Sequence, residues 1–182
     1  MNKANKITMS RVIMSIIIIV LLLFPFDQMG IDFPTYLIGG KILIDLKYII
    51  VGVLFIIASF TDFGKMVDAI SDKLLTNSVL IILGCSGKIS AAIVVVIIAR
   101  DIVVDSIKMV IGNKGHAVAA IGIAKVKTAT LMIGIILTLF YNLPFELISL
   151  RISDFLLALA AILSVISGVK YYMMAKPYLK DR

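Results

Sequence analysis

The sequence has no tryptophan, a single cysteine and a single histidine, and only 16% of its 182 residues are charged. One cysteine excludes a disulfide within the chain, and a packing role is expected for Cys85 because it lies in an apolar run. His116 has no nucleophile or second metal ligand near it in sequence, so it is interpreted as a solvated loop residue. The scarcity of charge excludes an ordinary soluble domain of this length.

Apolar sequence fills the chain instead, with 61% hydrophobic residues and a mean hydropathy of +1.11. Several apolar runs approach the roughly 20 residues that a helix needs to cross a bilayer. No internal repeat or separate soluble domain is evident, so one all-α, membrane-embedded domain is expected over residues 1–182. Six transmembrane helices are predicted, at about residues 9–26, 44–61, 66–85, 89–111, 127–142 and 152–174.

The net charge of +7 does not indicate a nucleic-acid partner, because the basic residues lie between apolar runs, where they meet headgroups or phosphorylated substrates. The predicted spans place these basic residues on two sides of a membrane in unequal numbers. The side with more of them includes both termini. The positive-inside rule therefore predicts a multi-pass protein of the cell membrane with both termini in the cytoplasm. The smaller group consists of Lys41, Lys47, Lys88 and Arg151.

Three carboxylates lie around the turn between the second and third predicted spans. Asp68 and Asp72 are four residues apart and share one face of a helix, and Asp62 can approach from the preceding helix. Converging carboxylates repel unless a cation lies among them, and oxygen ligands favour Mg²⁺ or Mn²⁺, which bind phosphates. The alternative is that these acids are solvated at a cytoplasmic turn and paired with Lys65 and Lys73.

Gly64, Asp68 and Asp72 have the spacing G-x-x-x-D-x-x-x-D, and Asp62 precedes them. This pattern resembles the second half of the signature of the CDP-alcohol phosphotransferase family, D-x-x-D-G-x-x-A-R followed by G-x-x-x-D-x-x-x-D. Only Phe63 separates Asp62 from Gly64, where the family has roughly fifteen residues that include its second aspartate. We interpret the junction as a segment missing from this sequence, and a true internal deletion is the alternative.

The N-terminus carries a second part of the resemblance. Asn5, Thr8 and Arg11 form an N-x-x-T-x-x-R pattern that is similar to the opening of the phosphatidylglycerophosphate synthase branch of this family. A capped helix start with a snorkelling arginine is the alternative interpretation.

The fourth span carries a third part. Arg100 and Asp101 follow Ala99 and resemble the A-R-E segment of those synthases, with Lys108 at the place of a later basic residue. Arg100 and Lys108 can both face a polar cavity, and Asp101 and Asp105 form an i, i+4 pair of their own. Internal neutralisation of buried charges is the alternative.

The start of the fifth span adds Lys125 and Lys127 within Ala124–Ala129, a segment similar to the family's G-K-x-K-T-A. Cations at this place are suited to holding the phosphate of an acceptor. Read without the resemblance, they are interpreted as headgroup anchors.

The resemblance implies six transmembrane helices, a homodimer and transfer of a phosphatidyl group from CDP-diacylglycerol to an alcohol, with release of CMP. The Arg100 and Lys125 regions favour glycerol 3-phosphate as that alcohol. The implied roles are two Mg²⁺ or Mn²⁺ ions at Asp62, Asp68 and Asp72, with Asp72 as general base; nucleotide and lipid-substrate binding at Gly64, Asn5, Thr8 and Arg11; and acceptor-phosphate binding at Arg100, Lys108, Lys125 and Lys127.

Two other functions stay open at this stage. The first is the same chemistry with another acceptor, as in cardiolipin or phosphatidylinositol-phosphate synthesis. The second is a non-catalytic membrane protein, either a degenerate paralogue or a small transporter-like protein, which a true deletion after Asp62 would favour.

Overall fold

A computed structural model describes residues 3–40, 42–60, 68–113, 115 and 121–179, and it describes the backbone alone at 3–8, 11, 27, 60, 68–72, 178 and 179. Long helices dominate this part of the chain, as the apolar runs predict. The helices are α1 (Lys3–Leu23), α2 (Leu46–Phe60), α3 (Asp68–Cys85), α4 (Ala91–Asn113), α5 (Gly122–Leu139) and α6 (Ile152–Leu179).

The prediction of an all-α fold is wrong in one place, because a β-hairpin precedes α2. Strands β1 (Thr35–Ile38) and β2 (Ile42–Asp45) pair antiparallel, with Tyr36 opposite Ile44 and Leu37 opposite Leu43. Gly39 and Gly40 turn the chain with φ angles of 62° and 67°, a conformation that other residues adopt at a cost. Short 3₁₀ helices at Phe26–Met29 and Phe145–Ile148 complete the connections.

The predicted spans match these helices closely except at the first, fifth and sixth. Helix α1 begins at Lys3 rather than at residue 9. Helix α5 begins at Gly122 rather than at residue 127, and α6 continues to Leu179 rather than to residue 174. Lys125 and Lys127 therefore belong to the first two turns of α5. A second correction concerns Cys85, which ends α3 and is exposed, so the expected packing role is wrong.

Two helices in the described part of the chain are long and apolar enough to cross a membrane, Gly122–Leu139 and Ile152–Pro177. Only 28% of each segment is buried against the rest of the protein, so neither resembles the core helix of a soluble domain. Shorter apolar segments lie at 12–23, 46–59 and 73–85. Helix α4 differs because four charged residues interrupt its apolar sequence: Arg100, Asp101, Asp105 and Lys108.

Small residues allow the helices to approach one another closely. Helix α6 packs against α4 and α5, and α1 packs against α2 and α3. A Cβ atom at Gly134 would lie 3.0 Å from the side chain of Leu157, and one at Gly52 would lie 2.6 Å from the ring of Phe140. Such close contacts are typical of helices that associate by packing in a membrane. A continuous apolar core results, with Phe55, Leu83, Ile97, Ile135 and Leu139 at its centre.

One end of the bundle is joined by an aromatic and polar cluster. The Lys88 ammonium lies 4.3 Å from the ring centroids of both Tyr48 and Tyr141, and the backbone N–H of Asp45 donates to the Tyr141 hydroxyl at 3.2 Å. Burial lowers the pKa of Lys88, an effect that the charge of Asp45 opposes. Burial also raises the pKa of Tyr141. These contacts connect α2 to both the α3–α4 and the α5–α6 loops.

Asn142 organises the turn between α5 and α6. Its side-chain amide donates to the carboxylate of Glu146 at 3.0 Å and to the carbonyl of Leu150 at 2.6 Å, and its oxygen accepts from the backbone N–H of Ser153 at 3.1 Å. The last bond satisfies an N–H in the first turn of α6, which has no partner within the helix. Asn142 is only 5% exposed, so water cannot replace these partners.

Replacing Asn142 by alanine is expected to lower the free energy of unfolding by about 1–3 kcal/mol, because three hydrogen bonds are lost and buried partners are left unsatisfied. Thermal unfolding of the detergent-solubilised protein measures this change. Asn113→Ala, at an exposed position, is the matched control and should leave the midpoint unchanged. Equal midpoints for both variants would contradict the role given to Asn142.

Candidate functional site

A cavity of about 500 Å³ lies between α3, α4, α5 and α6. The residues that line it belong to the beginning of α3, the second half of α4, the beginning of α5 and the later part of α6. The cavity therefore lies away from the Lys88 cluster, which is at the opposite ends of α3 and α5. Most of the polar side chains that line the cavity carry a charge. The polar and aromatic residues of the wall are Lys73, Thr76, Asn77, Arg100, Asp101, Asp105, Lys108, Lys125, Lys127, Thr128 and Tyr171.

A buried ion pair between α4 and α5 forms the floor of this cavity. Asp101 belongs to the buried face of α4, and Lys127 belongs to the buried face of α5. The ammonium of Lys127 donates to both carboxylate oxygens of Asp101 at 2.9 Å. Lys127 is 3% exposed and Asp101 is 9% exposed, so each needs the other to remain charged at this depth. The interpretation of Lys127 as a headgroup anchor is therefore wrong.

Arg100 brings a second cation to the same carboxylate. Its Nη1 donates to Asp101 Oδ1 at 2.8 Å, and its Nη2 donates to the hydroxyl of Ser167 at 2.7 Å. The contact with α6 is close, since a Cβ atom at Gly168 would lie 3.2 Å from Cγ of Arg100. Helix α6 thus fixes the direction of the guanidinium. The Nε atom of Arg100 is buried and has no hydrogen-bond partner in the described part of the chain.

The remaining charges leave the cavity positive. Asp105 forms an ion pair with Lys73, so α3 and α4 are joined at the cavity wall. Lys108 and Lys125 also line the cavity, and neither forms an ion pair with a carboxylate whose side chain the structure describes. Among the side chains that the structure describes here, five cations then face two carboxylates, Asp101 and Asp105. Such an excess in a partly desolvated cavity favours an anion with several acceptor oxygens, of which phosphate is the common example.

The sequence prediction that Arg100 and Lys108 face one polar cavity is confirmed, and Lys125 and Lys127 join them. The alternative of internal neutralisation also holds for two residues: Asp101 is paired with Arg100 and Lys127, and Asp105 with Lys73. Lys73 was expected to pair, if at all, with the acids of the neighbouring turn.

Helix α3 carries the aspartate positions toward this cavity. Asp68, Asp72 and Thr76 follow one another at intervals of four residues, so their positions lie along one face of α3. Thr76 lines the cavity, and its buried hydroxyl has no hydrogen-bond partner among the described residues. Asp72 is one helical turn before Thr76 along α3, and Lys73, its neighbour in sequence, lines the cavity. Oxygen ligands at these positions fit the chemistry of Mg²⁺ or Mn²⁺.

Several predicted site residues fall outside what the structure describes. Asp62 and Gly64 lie outside the described residues. His116, which was predicted to be a solvated loop residue, also lies outside them. Five more predicted site residues have a described backbone, at the start of α1 or α3, but their side chains are not described: Asn5, Thr8, Arg11, Asp68 and Asp72. Among the side chains that are described, no group of three histidine, cysteine or acidic residues could hold a metal ion.

Sequence reasoning missed Thr76, Ser167 and Tyr171. Thr76 continues the four-residue spacing of Asp68 and Asp72, and that signal could have found it. Ser167 and Tyr171 lie in an apolar stretch of α6, where nothing in the sequence distinguishes them from packing residues. Their roles depend on contacts with Arg100, which is 67 residues from Ser167 along the chain.

Comparison with known proteins bears on the whole chain. Residues 56–166 match the CDP-alcohol phosphatidyltransferase family. A relative in Bacillus subtilis, named CDP-diacylglycerol--glycerol-3-phosphate 3-phosphatidyltransferase, is 34% identical over 186 residues, covering 94% of this chain and 93% of the relative. Proteins with the same name in Mycoplasma genitalium and Rickettsia felis are 29% and 31% identical, covering 75% and 65% of this chain and 64% and 66% of their own lengths.

Replacing Asp101 by asparagine is expected to lower the free energy of unfolding by about 3–5 kcal/mol, because Lys127 would remain buried without its counter-charge. Thermal unfolding in detergent measures the loss. Asp154→Asn is the matched control, since Asp154 forms an exposed pair with Arg151 at 3.7 Å, and such pairs contribute about 0–1 kcal/mol.

The double variant Asp101→Asn, Lys127→Met separates charge from packing. It should recover part of the stability, because no unpaired charge then stays buried. Equal loss in the single and double variants would contradict the electrostatic explanation.

Proposed function

Because the chain belongs to the CDP-alcohol phosphatidyltransferase family, we propose that it transfers the phosphatidyl group of CDP-diacylglycerol to glycerol 3-phosphate, giving phosphatidylglycerophosphate and CMP. The observation that supports this most is the positive cavity beside the aspartate face of α3. Both substrates carry phosphate, and this cavity has the charge to hold an acceptor phosphate next to a phosphate-activating site. The name carried by the Bacillus subtilis relative supports the choice of acceptor.

The reaction needs a base for the acceptor alcohol, and we assign that role to Asp72. Its carboxylate removes the proton from the hydroxyl of glycerol 3-phosphate as the oxygen attacks the β-phosphorus of CDP-diacylglycerol. A bond forms between that oxygen and the β-phosphorus, and the bond from the β-phosphorus to the oxygen bridging toward CMP breaks. CMP leaves with the bridging oxygen.

Asp62, Asp68 and Asp72 would hold two divalent ions, Mg²⁺ or Mn²⁺. The position of Asp68 and Asp72 on the face of α3 that leads to Thr76 supports this assignment. Ions bound there supply charge stabilisation for the diphosphate and for the leaving CMP. We place Gly64 where the backbone approaches the nucleotide closely. Asn5, Thr8 and Arg11, at the start of α1, bind the nucleotide or the lipid substrate.

The acceptor phosphate is held by the cations of the cavity. Lys108 and Lys125 have no described carboxylate partner, so they are suited to bind it directly. Arg100 and Lys127 are already joined to Asp101 and add positive potential from the floor. The four predicted residues thus have two roles, and whether a residue is paired with Asp101 decides which role it has.

The protein as a whole is proposed to be one multi-pass membrane domain over residues 1–182. All six helices cross the membrane, both termini lie in the cytoplasm, and the protein is a homodimer. The distribution of lysine and arginine and the apolar faces of the helices support this arrangement.

The native protein is further proposed to carry a segment between Asp62 and Gly64 that this sequence lacks. The alignment with the Bacillus subtilis protein extends over 186 residues, more than the 182 of this chain, so parts of that relative have no counterpart here. Asp62 and Gly64 themselves lie outside the described residues.

The purified protein in mixed micelles is expected to release CMP from CDP-diacylglycerol only when glycerol 3-phosphate and Mg²⁺ or Mn²⁺ are both present. Chromatographic measurement of CMP checks this, with glycerol, inositol phosphate and phosphatidylglycerol as competing acceptors. Faster release with another acceptor would redirect the assignment within the family. No release with any acceptor, in proteins both with and without the missing segment, would overturn the proposal.

Asp72→Asn is expected to reduce the rate by about 10²–10⁴-fold, because asparagine cannot accept the proton and is a poorer metal ligand. The same CMP assay measures the rate. Asp154→Asn, far along α6 from the cavity, is the control and should retain full activity. Undiminished turnover of the Asp72 variant would remove the general-base role, provided that the wild-type protein is active.

A further inference from the structure

Tyr171 is the aromatic residue through which α6 reaches the cations of the cavity. It is 1% exposed, and its ring lies 5.6 Å from Cζ of Arg100 and 4.9 Å from Nζ of Lys108. Its hydroxyl accepts a hydrogen bond from the backbone N–H of Ile121 at 3.2 Å, just before α5 begins. One side chain thereby contacts α4 twice and the start of α5 once.

Two cations on one neutral ring present an electrostatic problem. Arg100 and Lys108 repel each other, and the only carboxylate among the described residues that pairs with either is Asp101, which binds Arg100. The ring attracts each cation through its quadrupole but does not cancel the charge. An anion that lies between these cations would relieve the repulsion.

The ring also restricts where the cations can be. Lys108 is half-buried and has a flexible stem that could otherwise extend toward solvent. Contact with a fully buried ring holds its ammonium at the cavity, and the hydrogen bond from Ile121 fixes the ring itself. Cations that are placed before the ligand arrives lose less conformational freedom on binding.

We propose that Tyr171 is a positioning residue for the acceptor: it holds Arg100 and Lys108 in the arrangement that binds the phosphate of glycerol 3-phosphate. The inference rests on the proposed function of the same cavity. Tyr171 does not contact the reacting atoms, and it acts through the two cations. Its loss should therefore weaken binding of the acceptor while binding of CDP-diacylglycerol stays the same.

Steady-state kinetics of the full-length protein test this inference. Tyr171→Leu is expected to raise KM for glycerol 3-phosphate by about three- to thirtyfold, the range that loss of two cation–π contacts allows, while KM for CDP-diacylglycerol stays unchanged. Tyr171→Phe keeps the ring and should change KM for the acceptor by less than about threefold. Tyr172→Leu removes an exposed tyrosine next to it and is the matched control.

A graded series guards against a variant that does not fold. Phenylalanine with one, two or three fluorine atoms, incorporated at position 171, keeps the shape of the ring and progressively weakens its quadrupole. KM for glycerol 3-phosphate should rise with each fluorine. A flat series, or equal increases in KM for both substrates, would overturn the positioning role.

The outcomes for Tyr171 are distinguishable from failure of the proposed function. A wild-type protein that releases no CMP with glycerol 3-phosphate refutes that function. A wild-type protein that is active, with Tyr171→Leu indistinguishable from it, refutes this inference alone.

Discussion

The charged end of this bundle depends on the carboxylate of Asp101. Lys127 and Arg100 come from different helices, and both would be costly to bury if Asp101 did not accept their hydrogen bonds. The two bonds from Lys127 join α5 to α4, while Ser167 and Tyr171 connect Arg100 to α6. Because this arrangement satisfies the buried charges at the floor, Lys108 and Lys125 remain available at the wall. In the proposed function, the residues that stabilise the bundle and those that bind the anion line the same cavity.

The two ends of the molecule solve the problem of buried charge differently. At the cavity, cations are balanced by carboxylates and an excess is left over. At the other end, the ammonium of Lys88 lies 4.3 Å from the ring centroids of both Tyr48 and Tyr141, and the charge of Asp45 acts on it. The Lys88 cluster joins loops, whereas the described side chains of the Asp101 cavity carry an excess of positive charge. This contrast supports placing the chemistry at the Asp101 end.

The helices and most of the charged residues of the cavity could be predicted from the sequence. Long apolar runs are a strong local signal, so the helices were found and only their ends moved. The hairpin around Gly39 and Gly40 was missed because its strands have four residues each and lie within a connection rich in breaking residues. Arg100, Lys108 and Lys125 were found through motifs. The burial of Lys127 and the part played by Tyr171 depend on contacts between distant helices, which no local pattern encodes.

Among the described residues, the apolar core around Phe55, Leu83 and Leu139 lies between the charged cavity and the Lys88 cluster. In the proposed reaction, a lipid headgroup that enters the cavity must leave by the same side. New phospholipid would then accumulate in a single leaflet, and the opposite leaflet would receive it only through a separate process that moves lipids across the bilayer. If the chain carries out the proposed reaction, the packing of the core would impose a sidedness on membrane growth.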